Sequence, residues 1–217
     1  MEYHLAEYEI ALDPSRPEHL MPPFGPHHRR VLDVGCGAGQ TLAAAEVLHP
    51  LEGRVSCGVD IDADALAAGR ARWPGLGLAV ARGEELPFAD GAFDLVCLRV
   101  SLPYMRVQDA MRECGRVLTP GGEVWLALHG WRGAVRDLAA AVRRRSVRAT
   151  AFRAYVLANG LVLQATGSTV AFPVGRRPTE SWQGARGIQL ALRRAGFADV
   201  RVHATPRGGQ VAVARRA

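Results

Sequence analysis

Short apolar runs, each typical of a buried strand, alternate along the chain with segments whose apolar residues recur at helical spacing. Val107, Met111 and Cys114, for example, fall on one helical stripe, and Pro120-Gly121-Gly122 is expected to end that helix. The pattern predicts strands over residues 30–34, 54–60, 77–81, 93–98 and 123–129, and helices over residues 40–48, 63–71 and 107–118. Strands that alternate with helices predict an α/β fold with a doubly wound, mostly parallel sheet.

The last part of the chain departs from this alternation. A helix is predicted over residues 187–195, followed by strands over 197–203 and 210–214 that suit an antiparallel pair closing the sheet. We therefore expect a Rossmann-like core over residues 31–129 that is completed by residues 187–217. Right-handed crossovers would place the carboxyl ends of the parallel strands, and with them a ligand crevice, along one edge.

Two segments lie outside this core pattern. Residues 1–30 contain five prolines, which predict a short helix and then an irregular arm, and we expect this arm to act as a lid. Residues 130–186 are far longer than an ordinary connection. Their first half has the apolar spacing of one long amphipathic helix rich in arginine, and the stretch from Ala154 to Gly175 carries no charge. We interpret this insert as a helical cap that lines the substrate pocket.

Composition and charge exclude several classes of protein. The 217 residues are 48% hydrophobic and 22% charged, which excludes a disordered chain, a collagen and a coiled-coil rod. No apolar run has the length of a membrane span, and the first ten residues carry three glutamates and no basic stretch, so a cytoplasmic location is expected. The net charge of +6 rests on arginine alone, a bias typical of GC-rich genomes, and is weak support for a nucleic-acid partner.

The cysteine and histidine pattern predicts no metal centre. Cys36, Cys57, Cys97 and Cys114 have no CxxC spacing, and free thiols are the expected state in a chain without an export signal. The seven histidines also lack ligand spacing with carboxylates or thiols. No metal is therefore expected.

A glycine-rich loop follows the first strand. Gly35, Gly37 and Gly39 are spaced as GxGxG, and such a loop lets the backbone turn sharply and point free N–H groups at a ligand. A nicotinamide or flavin dinucleotide site would place its third glycine at position 40, which is Gln40 here. Asp60 ends the second strand, where a carboxylate accepts both hydroxyls of an adenosine ribose. The loop and the carboxylate together predict an adenosine ligand.

At these residues the chain resembles the class I S-adenosylmethionine-dependent methyltransferases, in the branch of small enzymes that often act on small molecules. Four segments resemble the family's motifs in the correct order, and together they cover roughly residues 31–128. The segments are 31–39 (VLDVGCGAG), 58–61 (GVDI), 84–88 (EELPF) with 93–96 (FDLV), and 113–122 (ECGRVLTPGG). The resemblance implies S-adenosylmethionine as the cofactor and methyl transfer as the activity.

The resemblance also implies which residues bind the cofactor. The glycine loop would face the methionyl part and Asp60 the ribose, while Ile61 would pack on the adenine. The family usually offers an aspartate to the adenine amino group at the position of Arg82, and because a guanidinium cannot accept a hydrogen bond, Glu84 or a carbonyl would have to replace it. The implied cofactor-binding residues are Asp33, Gly35, Cys36, Gly37, Gly39, Asp60, Ile61, Arg82, Gly83, Glu84, Leu98 and Arg99.

Candidates for catalysis follow from the chemistry of a sulfonium methyl group. Its transfer needs aligned reactants, exclusion of water, and a base only where the nucleophile must lose a proton. His129, at the end of the fifth strand, is the candidate base, with a purely local structural role as the alternative. Tyr104, after the fourth strand, is the second candidate, with packing as its alternative. Tyr3, His4 and Tyr8 would fold across the cofactor if the N-terminal arm is ordered.

The insert bears on the identity of the acceptor. Its uncharged stretch, between Arg153 and the pair Arg176 and Arg177, predicts a pocket for a small and rather apolar organic acceptor, or a surface that rests on anionic lipid. Methylation of RNA or protein through the arginine-rich helix is one alternative, and a cofactor-binding module without activity is another. Nucleic acid is the weaker alternative because no aromatic residues are interleaved with the arginines. The sequence leaves the oligomeric state open.

Overall fold

The computed structural model describes residues 2–16, 18–172, 179–205 and 209–217. The strands are β1 (Arg30–Val34), β2 (Val55–Asp60), β3 (Gly77–Val80), β4 (Phe93–Leu98), β5 (Leu118–Leu128), β6 (Phe197–Ala204) and β7 (Gln210–Arg216). The helices are α1 (Glu2–Leu12), α2 (Gln40–Leu48), α3 (Ala63–Arg72), α4 (Val107–Val117), α5 (Trp131–Arg143), α6 (Val147–Thr166) and α7 (Ala185–Arg194), and a short 3₁₀ helix covers Leu102–Tyr104.

These strands form one sheet in the order β3-β2-β1-β4-β5-β7-β6. Strands β1 to β5 are parallel to one another, whereas β7 lies antiparallel between β5 and β6. The predicted fold class, with its closing antiparallel strand, is therefore confirmed. The carboxyl ends of β1 and β4 lie side by side where the strand order reverses, which is where doubly wound sheets bind ligands.

The strands contribute to a separate core layer on each face of the sheet. Val31 and Leu95 pack in one layer with Leu42 of α2. Leu32 and Val96 point to the opposite face and pack in a layer built with residues of α4 and α7. Because both faces are covered, consecutive strand residues are buried, and the strands appear in the sequence as continuous apolar runs.

The predicted start of the fifth strand is wrong, since β5 begins at Leu118 and not at Glu123. Helix α4 stops at Val117, and Pro120-Gly121-Gly122 lies inside β5 rather than in a turn before it. The pairing of β5 with β4 changes register in this region, and Gly121 has a φ of +77°. A bulged strand accommodates turn-forming residues that a regular strand would reject.

The insert forms two helices where the sequence predicts one. Helix α5 ends at Arg143, Arg145 takes a left-handed φ of +53°, and the Ser146 hydroxyl accepts a hydrogen bond from the N–H of Ala149 to cap α6. Helix α5 packs along α6, and α6 packs along α7. Residues 173–178, which include Arg176 and Arg177, lie outside the described part of the chain.

The N-terminal arm consists of helix α1 followed by irregular backbone up to β1. Helix α1 packs on α2, which is the helix that follows the glycine loop. Within the described residues, no helix combines the length and the apolar character needed to cross a membrane.

Candidate active site

A cleft of about 850 Å³ opens at the carboxyl edge of the sheet. It gathers residues from α1, from the segments after β1, β2, β3 and β4, and from the insert. Its walls are formed by Tyr3, His4, Asp33, Gly35, Cys36, Gly37, Gln40, Thr41, Asp60, Ile61, Ala81, Arg82, Gly83, Glu84, Arg99, Val100, Ser101, Tyr104, Met105, Arg106, Ala171 and Thr179. Ten of the twelve predicted cofactor-binding residues therefore lie in one cleft.

The five N–H groups of the glycine loop all donate to acceptors within the protein. Those of Gly35 and Cys36 donate to the Val59 carbonyl oxygen at 2.7 and 3.0 Å. The other acceptors are Asp60 Oδ2 for Gly37, Gln40 Oε1 for Ala38 and the Cys36 carbonyl oxygen for Gly39. The expectation of free N–H groups is therefore wrong. Because these donors are occupied, the loop suits a nucleoside better than the pyrophosphate of a dinucleotide.

Asp60 holds the loop and keeps acceptor capacity for a ligand. Its Oδ2 accepts from the N–H of Gly37 at 2.7 Å, and its Oδ1 accepts from the N–H of Asp62 at 2.9 Å. An ionised carboxylate has about four acceptor sites on its two oxygens. Each oxygen thus retains a lone pair on a side chain that lines the cleft.

Asp33 brings a buried and incompletely satisfied carboxyl to the cleft. The residue is 1% exposed, and its Oδ1 has no hydrogen-bond partner among the described residues. Burial raises the pKa of this carboxyl to about 7, although the nearby Arg99 guanidinium opposes the shift. A buried acceptor without a partner is costly. A ligand that carries an ammonium group would satisfy this oxygen and favour its charged form.

Arg99 lies directly after β4 and is 7% exposed. Its Nε donates to the Leu20 carbonyl oxygen and its Nη1 donates to Glu7 Oε2, each at 2.8 Å. Both acceptors belong to the N-terminal arm. A guanidinium has five N–H donors, so Arg99 can anchor the arm and still donate to a carboxylate in the cleft it lines.

Helix α1 covers the glycine loop. The His4 ring rests on Gly37, where an added Cβ atom would come within 2.7 Å of the ring. His4 Nδ1 is buried and has no hydrogen-bond partner in the part of the chain that the structure describes. Tyr3 also lines the cleft. Tyr8 instead packs against Trp73, with 5.2 Å between ring centroids. Of the three arm residues singled out from the sequence, two reach the cleft and the third fixes the helix beside it.

The far end of the cleft is shaped by the segments after β2 and β3. Ile61 is exposed and lines this end. Glu84 Oε1 accepts from the N–H of Arg106 at 3.0 Å and lies 3.6 Å from Arg82 Nη2. A Cβ atom on Gly83 would come within 2.6 Å of Met105 Sδ. Any larger residue at position 83 would therefore have to displace the Met105 side chain. At this end of the cleft, the Glu84 carboxylate is the group that can accept a hydrogen bond from a ligand.

Comparison with known proteins bears on the identity of this arrangement. A sequence model of the family described as "Methyltransferase domain" matches residues 32–126. Methyltransferase GfsG from Streptomyces halstedii is 36% identical over 120 residues, which cover 52% of this chain and 42% of that protein. Residues 32–126 therefore match the methyltransferase-domain family, as the sequence motifs predict.

Other relatives extend the comparison. The ubiquinone/menaquinone biosynthesis C-methyltransferase UbiE from Stenotrophomonas maltophilia strain R551-3 is 39% identical over 101 residues, covering 43% of this chain and 40% of that protein. The chain thus spans about two fifths of the length of these curated relatives. A solved methyltransferase from Aquifex aeolicus has the same fold, with a TM-score of 0.61, 17% identity and 98% coverage of both chains. The Aquifex aeolicus protein is described as dependent on S-adenosylmethionine, the cofactor that the sequence motifs imply for this chain.

Three of the residues predicted for the site do not line the main cleft. Leu98 is fully buried in the core, because side chains alternate along β4 and Arg99 takes the position that faces the cleft. Gly39 lies at the start of α2 and is not part of the cleft wall. His129 lines a second cavity of about 250 Å³. Tyr104, the other catalytic candidate, lines the main cleft.

The second cavity adjoins the main cleft of the methyltransferase domain, since Tyr3, Arg99 and Val100 line both. His129 is held by its backbone: its N–H donates to Gln183 Oε1 at 3.1 Å and its carbonyl oxygen accepts from the Gln183 N–H at 2.7 Å. Desolvation disfavours the charged imidazolium and lowers the pKa of the His129 side chain, although the residue as a whole is exposed. The lowered pKa favours the neutral imidazole, which is the form that accepts a proton.

Gln40, Thr41, Met105 and Arg106 also line the cleft, although the sequence motifs do not single them out as binding residues. Gln40 and Thr41 are the first residues of α2, directly after the glycine loop. Their position next to the loop could have indicated a place in the cleft. Met105 and Arg106 follow the 3₁₀ helix, whose turn the sequence does not reveal. Cys36 is buried at the cleft, and burial raises the pKa of its thiol, which is therefore neutral.

A cluster of His27, His28 and Glu123 brings together three metal-ligating side chains, contrary to the expectation from sequence spacing. The Gly25 N–H donates to His28 Nδ1 at 3.1 Å, so the proton of a neutral His28 resides on Nε2, which faces Glu123 Oε2 at 3.4 Å. A metal on Nε2 would displace that proton and break the Gly25 bond. His28 Nε2 makes no hydrogen bond among the described residues, and with the Gly25 hydrogen bond in place it offers no free lone pair to a metal.

Proposed function

We propose that this chain transfers the methyl group of S-adenosylmethionine to a small, rather apolar organic acceptor. The observation that supports this most directly is Asp33 Oδ1, an acceptor without a partner among the described residues, in a cleft whose glycine loop has no free N–H groups. That combination suits a ligand with an ammonium group and no phosphate. S-adenosylmethionine has both properties and supplies an electrophilic methyl group on a sulfonium.

The residues of the cleft fit the cofactor part by part. We assign Asp33 to the ammonium group, Arg99 to the methionyl carboxylate and Asp60 to the ribose hydroxyls. Ile61 covers the adenine, and the acidic Glu84 takes the amino group that Arg82 cannot accept. Gly35 and Gly37 keep the backbone close to the ligand, since both have positive φ and neither has room for a Cβ atom.

The protein's contribution to the reaction is alignment and exclusion of water. His4 of α1 lies on the glycine loop and Tyr3 lines the cleft beside it, so that α1 covers part of the cofactor site. Holding an acceptor in line with the methyl group removes much of the entropic barrier of a two-molecule reaction. Where the nucleophile carries a proton, we assign its removal to neutral His129, and Tyr104 lines the acceptor side.

The acceptor side of the cleft supports an apolar molecule. We assign to it Val100, Tyr104, Met105, Ala171 and Thr179, none of which is an acidic or basic residue, although Arg106 adjoins them in the cleft wall. Pockets of this composition bind molecules with a largely hydrocarbon surface. The relative named for ubiquinone and menaquinone biosynthesis supports the same class of acceptor.

A direct test measures S-adenosylhomocysteine formed from S-adenosylmethionine with an acceptor panel of apolar phenols and quinols, polar amino acids, RNA and protein. The proposal expects turnover with apolar acceptors. Turnover with RNA or protein alone would contradict it, and so would tight cofactor binding without turnover on any acceptor.

The role of His129 is tested by substitution once an acceptor is known. For a hydroxyl acceptor, kcat should rise with pH through the lowered pKa of His129, below its usual 6.5, and then level off. His129→Gln should remove this dependence and lower kcat about a hundredfold. His203→Gln, an exposed histidine on β6, is the control. An unchanged profile in His129→Gln would assign proton removal elsewhere.

A further inference from the structure

Helix α5 carries an exposed apolar stripe. Trp131, Val135 and Val142 are 53%, 41% and 55% exposed. Their spacing of four and seven residues places them on one side of the helix. Ala141, which lies about 100° around the helix from this stripe, is buried, so the stripe borders the packed side of α5. Large apolar side chains in a row on a surface mark an interaction site more often than isolated ones do.

An arginine stripe runs beside the apolar one. Arg132, Arg136 and Arg143 repeat the same spacing one residue further along the helix, and all three are exposed. The two stripes touch, since the Arg132 guanidinium lies 6.0 Å from the Trp131 ring. Exposed arginines continue through the turn into α6 at positions 144, 145 and 148.

Within the described part of the chain, these six arginines have no carboxylate partner. None of them takes part in the ion pairs found among the described residues. The acidic residue of α5, Asp137, lies 3.7 Å from Arg153 of α6 instead. The surface is therefore both strongly positive and apolar.

We propose that this face of α5 docks on an anionic lipid surface. An amphipathic helix with Trp and aliphatic residues beside arginines lies in the plane of the interface, with its apolar residues at the acyl boundary and its cations at the headgroups. Each basic residue near an anionic membrane strengthens binding. RNA would match the arginines but leave the apolar stripe in water, and a second copy would oppose like charges.

Membrane docking of α5 does not depend on the proposed methyl transfer, but it would affect which acceptors reach the cleft. Trp131 lies two residues after His129, which lines the second cavity at the carboxyl edge of the sheet. A docked α5 therefore holds this edge near the lipid, where an apolar acceptor dissolves. Vesicle binding tests the contact without any need for methyl transfer.

The experiment measures co-sedimentation of the full chain with phosphatidylcholine vesicles, with and without about one third phosphatidylglycerol. We expect binding that requires the anionic lipid and weakens with salt. Arg132→Gln/Arg136→Gln/Arg143→Gln should weaken it at least tenfold. The matched control, changed to Gln at exposed Arg72, Arg193 and Arg201, has the same net charge and should bind as the wild type does.

The apolar stripe is tested separately. Trp131→Ala should weaken vesicle binding several-fold and abolish a blue shift of tryptophan emission on binding, whereas Leu161→Ala, at an exposed leucine of α6, should change neither. If the α5 triple variant and the control triple variant lose vesicle binding equally, net charge alone explains the binding and the proposal is overturned. It would also be overturned by RNA binding that needs the arginines but not Trp131, or by self-association that Trp131→Ala abolishes.

Discussion

At the scale of single residues, Asp33 is the most informative side chain. The sequence places it two positions before the glycine loop but does not reveal its protonation, because that depends on burial and on Arg99, 66 positions away. Burial raises the pKa of Asp33 to about 7, so the free protein holds this carboxyl partly protonated at neutral pH. A ligand ammonium binds the ionised form, and its binding must therefore release a proton.

Affinity for S-adenosylhomocysteine should consequently depend on pH. Below the pKa of Asp33 the ligand must displace a proton, so affinity should fall about fivefold from pH 7 to pH 6 and change little above pH 8. Calorimetry across this range measures the dependence. Asp33→Asn should bind more weakly with a flat profile. An equally steep profile in Asp33→Asn would assign the titration to another group.

Gly37 makes a second prediction at this scale. Its φ is +57°, and an added Cβ atom would come within 2.7 Å of the His4 ring. Gly37→Ala should therefore weaken S-adenosylhomocysteine binding at least tenfold, because the loop or α1 must move. Gly133→Ala, in α5 with open space around it, should leave affinity unchanged and stabilise the fold by about 0.5–1 kcal/mol. Equal affinities in both variants would contradict the role of the loop.

At the scale of elements, the sequence is most predictive where a strand is buried on both faces. Strands β1 and β4 and helix α2 have the predicted bounds. Their bounds follow from the run or spacing of apolar residues within each segment. The insert is harder to predict. The break between α5 and α6 depends on a left-handed Arg145, which local propensity disfavours and which the packing of α5 along α6 imposes.

The break can be tested through stability. Arg145→Gly should raise the free energy of unfolding by about 0.5–1 kcal/mol, since glycine adopts a positive φ without strain. Arg144→Gly, at a residue with φ of −76°, removes the same charge and should be neutral or destabilising. Chemical denaturation of both variants measures the difference. A loss of stability in Arg145→Gly would contradict the described turn.

Helix α1 is predicted to act as a lid over the cofactor. The Glu7 carboxylate accepts from Arg99 at 2.8 Å and fixes the helix to the core. Glu7→Gln should therefore speed dissociation of S-adenosylhomocysteine several-fold and change its association rate less, as stopped-flow fluorescence would measure. Glu9→Gln, on the exposed side of the same helix, should leave both rates unchanged. Unchanged dissociation in Glu7→Gln would separate α1 from cofactor retention.

At the scale of the whole molecule, the motifs predicted the fold class and the cleft because both follow from residues near strand ends. Leu98 was misplaced because a motif does not give the direction of each side chain along β4. His129 was placed on the correct edge of the sheet but lies in the adjoining cavity. The cluster of His27, His28 and Glu123 was missed because it joins the arm to β5 across 95 positions of sequence.

The most direct test of the central claim is a calorimetric titration of the wild-type chain with S-adenosylhomocysteine and, separately, with NADH. The occupied N–H groups of the glycine loop, the unpartnered Asp33 oxygen and the lone pairs of Asp60 predict a micromolar site for S-adenosylhomocysteine and none for NADH. Binding of NADH in the absence of binding to S-adenosylhomocysteine would contradict the account.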